Sequence, residues 1–313
     1  MLNEIKAAAD RIRGRVLRTP LRYSRWLSEA SGGDVFLKIE TIQPTYSYKI
    51  RGATNAVLKL VEGTATGQAR PIVTASAGNH GRAMAHAAGA AGLKLTVYVA
   101  ETAPRSKIDA MREAGAELML CVDYDAAERR AKEHAATGAA VYISPYAHRD
   151  VIAGAGTVGL EILEEDPAID TIVASIGGGG LISGIAAAAE GRARTIGAEV
   201  AASTPFTKSL AAGRIVTIDV RDTIADGLSG NLDPDSPTFD MVRTLVERVV
   251  VVEEPEVIAA MRGAVLAERL IIEGATGVAV AAVQTGRVGL RGRRAAVVIS
   301  GANIDSAKLK AIL

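Results

Sequence analysis

The feature that most constrains this chain is a repeating local pattern: a short β-branched run, a turn of small residues, then an Ala-rich helical stretch. Residues 34–39, 71–75, 94–100, 117–122, 171–176, 195–199, 248–252 and 295–299 have the apolar character of strands, and 48–61, 79–91, 104–114, 126–137 and 181–190 have the helical period. Strands separated by helices of ten or more residues are joined by right-handed crossovers, which gives parallel sheets covered on both faces. The expected fold is therefore α/β, with open, mostly parallel twisted sheets flanked by helices. The 313 residues suit one large or two closely packed domains. No linker or repeat marks a boundary. The expected division is a small inserted α/β unit over 71–148, with 1–70 and 149–313 forming the larger body.

Charge and cysteine content exclude several function classes. Lys+Arg 36 against Asp+Glu 35 leaves a net +1, so no bulk field draws the chain to nucleic acid or an anionic membrane. Aromatic residues are 4%, too few for a base-stacking platform. No apolar run reaches the ~18 residues needed to span a bilayer. The stretch 276–283 is apolar but short, and reads as a buried helix or strand. The single cysteine, Cys121, cannot form an internal disulfide and sits in an apolar run; a reducing, cytoplasmic compartment is expected. His80, His86, His134 and His148 lack zinc-ligand spacing.

Four unusual turns follow expected strands, and in a parallel sheet such turns share one edge, where ligands bind. In Gln43-Pro-Thr-Tyr-Ser-Tyr-Lys-Ile-Arg-Gly-Ala53, Lys49 begins a helix. The helix dipole and desolvation both disfavour an ammonium there, so a nucleophilic neutral amine becomes accessible. Alone, a solvated first-turn lysine is the commoner case. Ser76-Ala77-Gly78-Asn79-His80-Gly81 opens the next helix with free N–H groups suited to a carboxylate, although Ser76 or Asn79 could simply be caps. Gly177-Gly178-Gly179-Gly180-Leu181 carries four consecutive glycines, a costly choice in chain entropy that lets backbone amides close around a phosphate. Ser300-Gly301-Ala302-Asn303 places a hydroxyl at a strand end. By contrast, Gly154-Ala-Gly-Thr-Val-Gly159 matches the dinucleotide fingerprint G-x-G-x-x-G but follows no strand, and reads as close helix packing.

Taken together and in order, these motifs resemble fold-type II pyridoxal-phosphate (PLP) enzymes, of tryptophan synthase β type, in the serine/threonine dehydratase and serine racemase branch. The family's P-T-G-S-F-K-x-R-G-A is similar to residues 44–53, its S-x-G-N-H to 76–80, its tetraglycine loop to 177–180 and its S-G-G-N to 300–303. The resemblance implies that Lys49 holds PLP and shuttles the α-proton, that Tyr48 lines the ring, and that Asn79 bonds the ring hydroxyl. It further implies that Gly177 to Leu181 grip the phosphate, that Ser300 faces the pyridine nitrogen, and that Gly227 and Glu273 line the ring edge. Ser76, Ala77, Gly78, Asn79 and His80 would receive the substrate carboxylate, with Tyr46 close by. The implied reaction is β-elimination from a small 3-hydroxy amino acid (threonine, serine or threo-3-hydroxyaspartate), giving a 2-keto acid and ammonia. A homodimer is implied as well.

The chain departs from the family pattern at several points. Tyr46 replaces a glycine and Tyr48 a phenylalanine. Ala77 stands where racemases have a second serine, which favours elimination over racemisation. Glu199 retains one acid of the family's divalent-metal site, but the second position is Pro205, which counts against a metal. The alternatives are an amino-acid racemase on this scaffold, or a non-catalytic phosphate- or nucleotide-binding module in which Lys49 stays unmodified.

Overall fold

A computed structural model describes residues 1–64, 69–76 and 78–313. Ten strands make two sheets: β1 (Leu21–Tyr23), β2 (Asp34–Ile39), β3 (Ile72–Ala75), β4 (Leu95–Ala100), β5 (Glu117–Cys121), β6 (Val141–Tyr142), β7 (Thr171–Ser175), β8 (Arg194–Val200), β9 (Arg248–Val252) and β10 (Arg294–Ile299). One sheet runs β1-β2-β10-β7-β8-β9 and the other β5-β4-β3-β6. Every pairing is parallel except β1 with β2. The expected parallel α/β architecture is thus observed. Two strands were not legible in the sequence: β1, a three-residue antiparallel edge, and β6, two residues long. Neither is long enough to display a period.

The interior strands are apolar because both of their faces are covered. β7 is buried at every position, and β10 at every position but its first. The helix Gly274–Gln284 lies behind the larger sheet, and all its residues from Gly274 to Val283 are buried. Its all-round apolar surface explains why 276–283 could not be told from a strand by sequence. The helix Arg149–Glu165 contains the decoy glycine motif. A Cβ on Gly154 would lie 2.6 Å from the Arg51 carbonyl oxygen, and one on Gly156 would lie 2.8 Å from that of Gly184. The motif is a packing seam, as expected. It lets this helix touch the backbones of the helices Lys49–Glu62 and Gly180–Ala189.

A buried ion network locks the first of those helices. Arg51, 0% exposed, places Nε 2.7 Å from Glu40 Oε2 and Nη1 2.6 Å from Glu161 Oε1. Lys38 Nζ also reaches Glu161 Oε2, at 2.7 Å. Burial alone would raise the Glu40 pKa, but the Arg51 charge and hydrogen bonds outweigh it and leave the carboxyl below its ordinary value. Two cations face two carboxylates, so no buried charge is left unmatched. This network ties β2, the helix Lys49–Glu62 and the helix Arg149–Glu165 together.

Candidate active site

The four turns meet beyond the carboxyl ends of β2, β10, β7 and β3, with the stretch after β6 between them. Lys49 starts its helix directly beyond the turn. The turn is laced to the one after β10: Ser47 pairs with Gly301 as an antiparallel bridge, and the Tyr48 N–H donates to the Ser300 carbonyl at 2.9 Å. Lys49 Nζ donates to the Pro145 carbonyl at 2.6 Å and lies 5.4 Å from the centre of the Tyr48 ring. Desolvation lowers the Lys49 pKa to about 8, while the charge of Glu273 acts in the opposite sense. Burial raises the Tyr48 hydroxyl above its usual range.

Asn79 opens the helix Asn79–Ala90 after β3. Its Nδ2 donates to Glu273 Oε1 at 2.7 Å, and its Oδ1 accepts from Asn303 Nδ2 at 2.6 Å. The Asn303 N–H donates to Glu273 Oε2 at 3.1 Å. Burial pushes Glu273 up to about 7; the Lys107 charge and these hydrogen bonds hold it down in part. Ser76 Oγ accepts from the N–H groups of Gly78 (3.2 Å) and Gly81 (2.9 Å) and so shapes the loop. His80 is buried with Nε2 3.4 Å from the Ile143 carbonyl oxygen, and burial followed by the nearby Lys49 charge hold its ring neutral. Ala77 lies outside the described residues.

The tetraglycine turn leads from β7 into the helix Gly180–Ala189. Gly179 adopts φ 85°, a left-handed conformation that favours glycine. A Cβ on Gly178 would sit 2.2 Å from the Tyr146 ring. Among the described residues, no acceptor engages the N–H groups of Gly177, Gly178, Gly179, Gly180 or Leu181. Free amides at a helix N-terminus form an anion cradle. Gly227 closes one side, its carbonyl oxygen 3.2 Å from where a Gly177 Cβ would be. Ser300 is buried with Oγ 3.0 Å from Thr276 Oγ1. A low-pKa amine beside an amide cradle and a neutral hydroxyl is a donor set that fits PLP, an aldehyde with a phosphate.

The expected metal position is different. Glu199 Oε1 accepts from the Phe206 N–H at 2.8 Å, and Oε2 accepts from the Thr207 N–H at 2.9 Å and its hydroxyl at 2.6 Å. Both oxygens serve the N-terminus of the helix Pro205–Ala212. Both carboxylate oxygens are thus spent on a helix end whose partial charge is positive, and among the described residues no cluster of three or more His, Cys, Asp or Glu could hold an ion, so these residues do not fit a divalent metal.

Several participants were missed from sequence. Tyr146 backs Gly178, and its hydroxyl accepts from the Asp233 N–H at 3.1 Å. It lies in a stretch that has neither period nor motif. Asn303 was seen only as the end of a motif, yet it joins Asn79 to Glu273. Arg51, inside a quoted motif, was given no role. Cys121 is buried, as expected. Among the described residues no helix is long and apolar enough to cross a membrane.

Comparison with known proteins agrees with this geometry. The chain is 38% identical over 308 residues to the L-threonine ammonia-lyase of Thermotoga maritima, covering 97% of this chain and 76% of that protein. It is 34% identical to the beta-hydroxyaspartate dehydratase of Paracoccus denitrificans, covering 98% and 97%. The crystal structure of a pyridoxal 5'-phosphate-dependent aspartate racemase superposes with a TM-score of 0.91 at 32% identity, over 99% of this chain and 97% of that one. The pyridoxal-phosphate dependent enzyme family matches residues 12–301, and the chain belongs to that family.

Proposed function

We propose that this protein is an ammonia-lyase that dehydrates a small 3-hydroxy amino acid to a 2-keto acid and ammonia. The observation that carries this reading is the Lys49 amine, lowered to about pKa 8 by desolvation and next to an amide cradle for a phosphate. The resemblance to dehydratases at 34–38% identity over nearly the whole chain supports it.

In this reading Gly177 to Leu181 would hold the cofactor phosphate, Tyr48 and Gly227 would line the ring, Ser300 would offer a neutral hydroxyl to the ring nitrogen, and Asn79 would bond the ring hydroxyl. The cofactor, when bound, supplies an electron sink for charge developing at the substrate Cα. The chain does the rest. Backbone N–H groups of the Ser76–His80 loop take the substrate carboxylate, and Ser76 Oγ keeps that loop in shape. Lys49 Nζ, neutral in a substantial fraction near pH 8, accepts the α-proton. The C3 hydroxyl then departs with a proton as water, and the released enamine hydrolyses to keto acid and ammonia. Glu273, fixed between Asn79 and Asn303, sets the orientation of Asn79. We also infer a homodimer, from the family resemblance and the prevalence of two-fold assemblies, and a cytoplasmic protein that engages neither nucleic acid nor membrane, from the charge balance and the single cysteine.

The test is keto-acid and ammonia release from purified protein supplied with PLP, across the isomers of serine, threonine and 3-hydroxyaspartate, beside Lys49→Ala. Release that vanishes in Lys49→Ala is expected. No release from any of these amino acids, with PLP bound, sinks the lyase reading. Chiral analysis of recovered substrate decides the racemase alternative, against which Ala77 counts.

A further inference from the structure

One departure from the family pattern, Tyr46, touches a charged residue outside every quoted motif. Tyr46 stands where the family has glycine, and it keeps a glycine-like backbone at φ 57°. A left-handed conformation is unfavourable for a residue with a Cβ. Such an outlier invites a functional explanation when a specific contact sustains it. That contact is Arg82, whose guanidinium carbon lies 5.0 Å from the centre of the Tyr46 ring. Arg82 sits one turn beyond Asn79 on the same helix, and its Nη1 donates to Asn303 Oδ1 at 3.0 Å. One guanidinium is thus stacked on Tyr46 and oriented by the asparagine that also holds Asn79 and Glu273.

Arg82 and Asn79 both line a cavity of about 120 Å³, together with Gly78, Ser106, Lys107 and Asp305. That volume exceeds the roughly 10–15 Å³ a single water needs, so a small polar group can enter. Its charged groups are Arg82, Lys107 and the Asp305 carboxylate, and the two cations are unequally partnered. Lys107 is matched by Asp226 at 2.9 Å. Asp305 Oδ1 is engaged by the Ala307 N–H at 2.8 Å, where it caps the last helix. Arg82 is half-buried and has no carboxylate partner among the described residues; its contacts are Tyr46 and Asn303. A fixed, partly desolvated guanidinium facing a small cavity beside a carboxylate-receiving loop is a site for a second carboxylate.

We propose that Arg82, steadied by Tyr46 and Asn303, is a specificity residue that selects substrates with a distal carboxylate, so that the preferred substrate class is a 3-hydroxy dicarboxylic amino acid such as 3-hydroxyaspartate. This rests on the lyase reading above. The cavity has room for a carboxylate beside Arg82. Serine and threonine carry no group that would pair with Arg82, and binding them would leave it unmatched.

The test measures kcat/KM for threo-3-hydroxyaspartate, L-threonine and L-serine on the PLP-loaded wild type, Arg82→Gln and Arg82→Lys. Arg82→Gln retains a donor toward Asn303 but loses the charge. It should lower the efficiency for hydroxyaspartate about 30-fold, the size of one lost charge-assisted pair. Turnover of serine and threonine should change less than about threefold, and Arg82→Lys should recover a large part of the loss. Equal loss on all three substrates, or no loss on hydroxyaspartate, overturns the proposal. Calorimetric binding of malonate against acetate to the same holoenzymes gives a second readout that needs no turnover. Malonate should bind the wild type more tightly than acetate and lose that advantage in Arg82→Gln. An advantage that survives in Arg82→Gln overturns the proposal even if no amino acid is turned over, whereas absent turnover with an Arg82-dependent advantage overturns only the lyase reading.

Discussion

Replacing Arg51 with methionine tests whether the buried ion network holds the helix that carries Lys49. The substitution keeps a long apolar stem but removes the guanidinium that donates to Glu40 at 2.7 and 2.8 Å and to Glu161 at 2.6 and 2.9 Å. Glu161 keeps Lys38 as a partner at 2.7 Å. Glu40, fully buried, keeps only neutral donors, the Thr19 hydroxyl at 2.6 Å and the Gln43 amide at 3.1 Å. Stranding one buried charge costs about 3–5 kcal/mol. The entropy of unfolding is near 2.1 cal/mol/K per residue, or about 0.66 kcal/mol/K for a chain of this length, so Tm should fall by about 5–8 °C. The assay is thermal unfolding followed by circular dichroism, at matched cofactor occupancy. Adding Glu40→Gln to Arg51→Met should return part of the loss, because it removes the stranded charge; the two sites share a partner and are not additive. An Arg51→Met protein that melts within about 1 °C of wild type would refute the reasoning.

Other outcomes follow from the same site. Gly178→Ala should weaken PLP binding at least about tenfold, read from cofactor absorbance on dialysis, since its Cβ would lie 2.2 Å from the Tyr146 ring; undiminished retention would count against the cradle. In the cofactor-free protein, acylation of Lys49 followed by mass spectrometry should titrate with a midpoint near 8, and a midpoint near 10 would exclude the desolvated amine. Because the folded pKa lies below the ordinary 10.5, the unfolded chain binds the extra proton between those values, and this lysine's contribution to stability should rise as pH climbs from about 8 to 10.5. Chelation by EDTA should leave rate and Tm unchanged, because Glu199 is spent on the N–H groups of Phe206 and Thr207; restoration of a lost rate by Mg²⁺ would contradict that assignment.

The sequence was most readable where local chemistry is repetitive or costly. Parallel strands such as β7 and β10 are predominantly apolar because both faces are covered, and runs of that kind stand out. Four glycines in a row, or a lysine at a helix start behind Ser-Tyr, also stand out. What escaped depends on contacts across long separations. Arg51 meets Glu161 across 110 positions, and Asn303 meets Asn79 across 224. Tyr146 is needed because Gly178 leaves room for its ring, a complementarity that no local pattern encodes. Tyr46 is legible as a replacement for glycine near the site, but its stacking on Arg82 is not, because the two approach only once the turn before Lys49 packs beside the helix at Asn79.

The glycine seam along the helix Arg149–Glu165 has a consequence for how this scaffold can diversify. Where backbones touch at Gly154 and Gly156, any larger side chain would push apart the helices that bear the reactive amine and the anion cradle. Changes there should be purged as losses of cofactor, whatever the substrate. Tyr46 is half exposed and Arg82 lies outside the seam, so both can vary without moving that block. The geometry therefore separates an inheritance that must stay fixed from a short stretch of surface on which new substrate preferences can be tried at little risk to the chemistry.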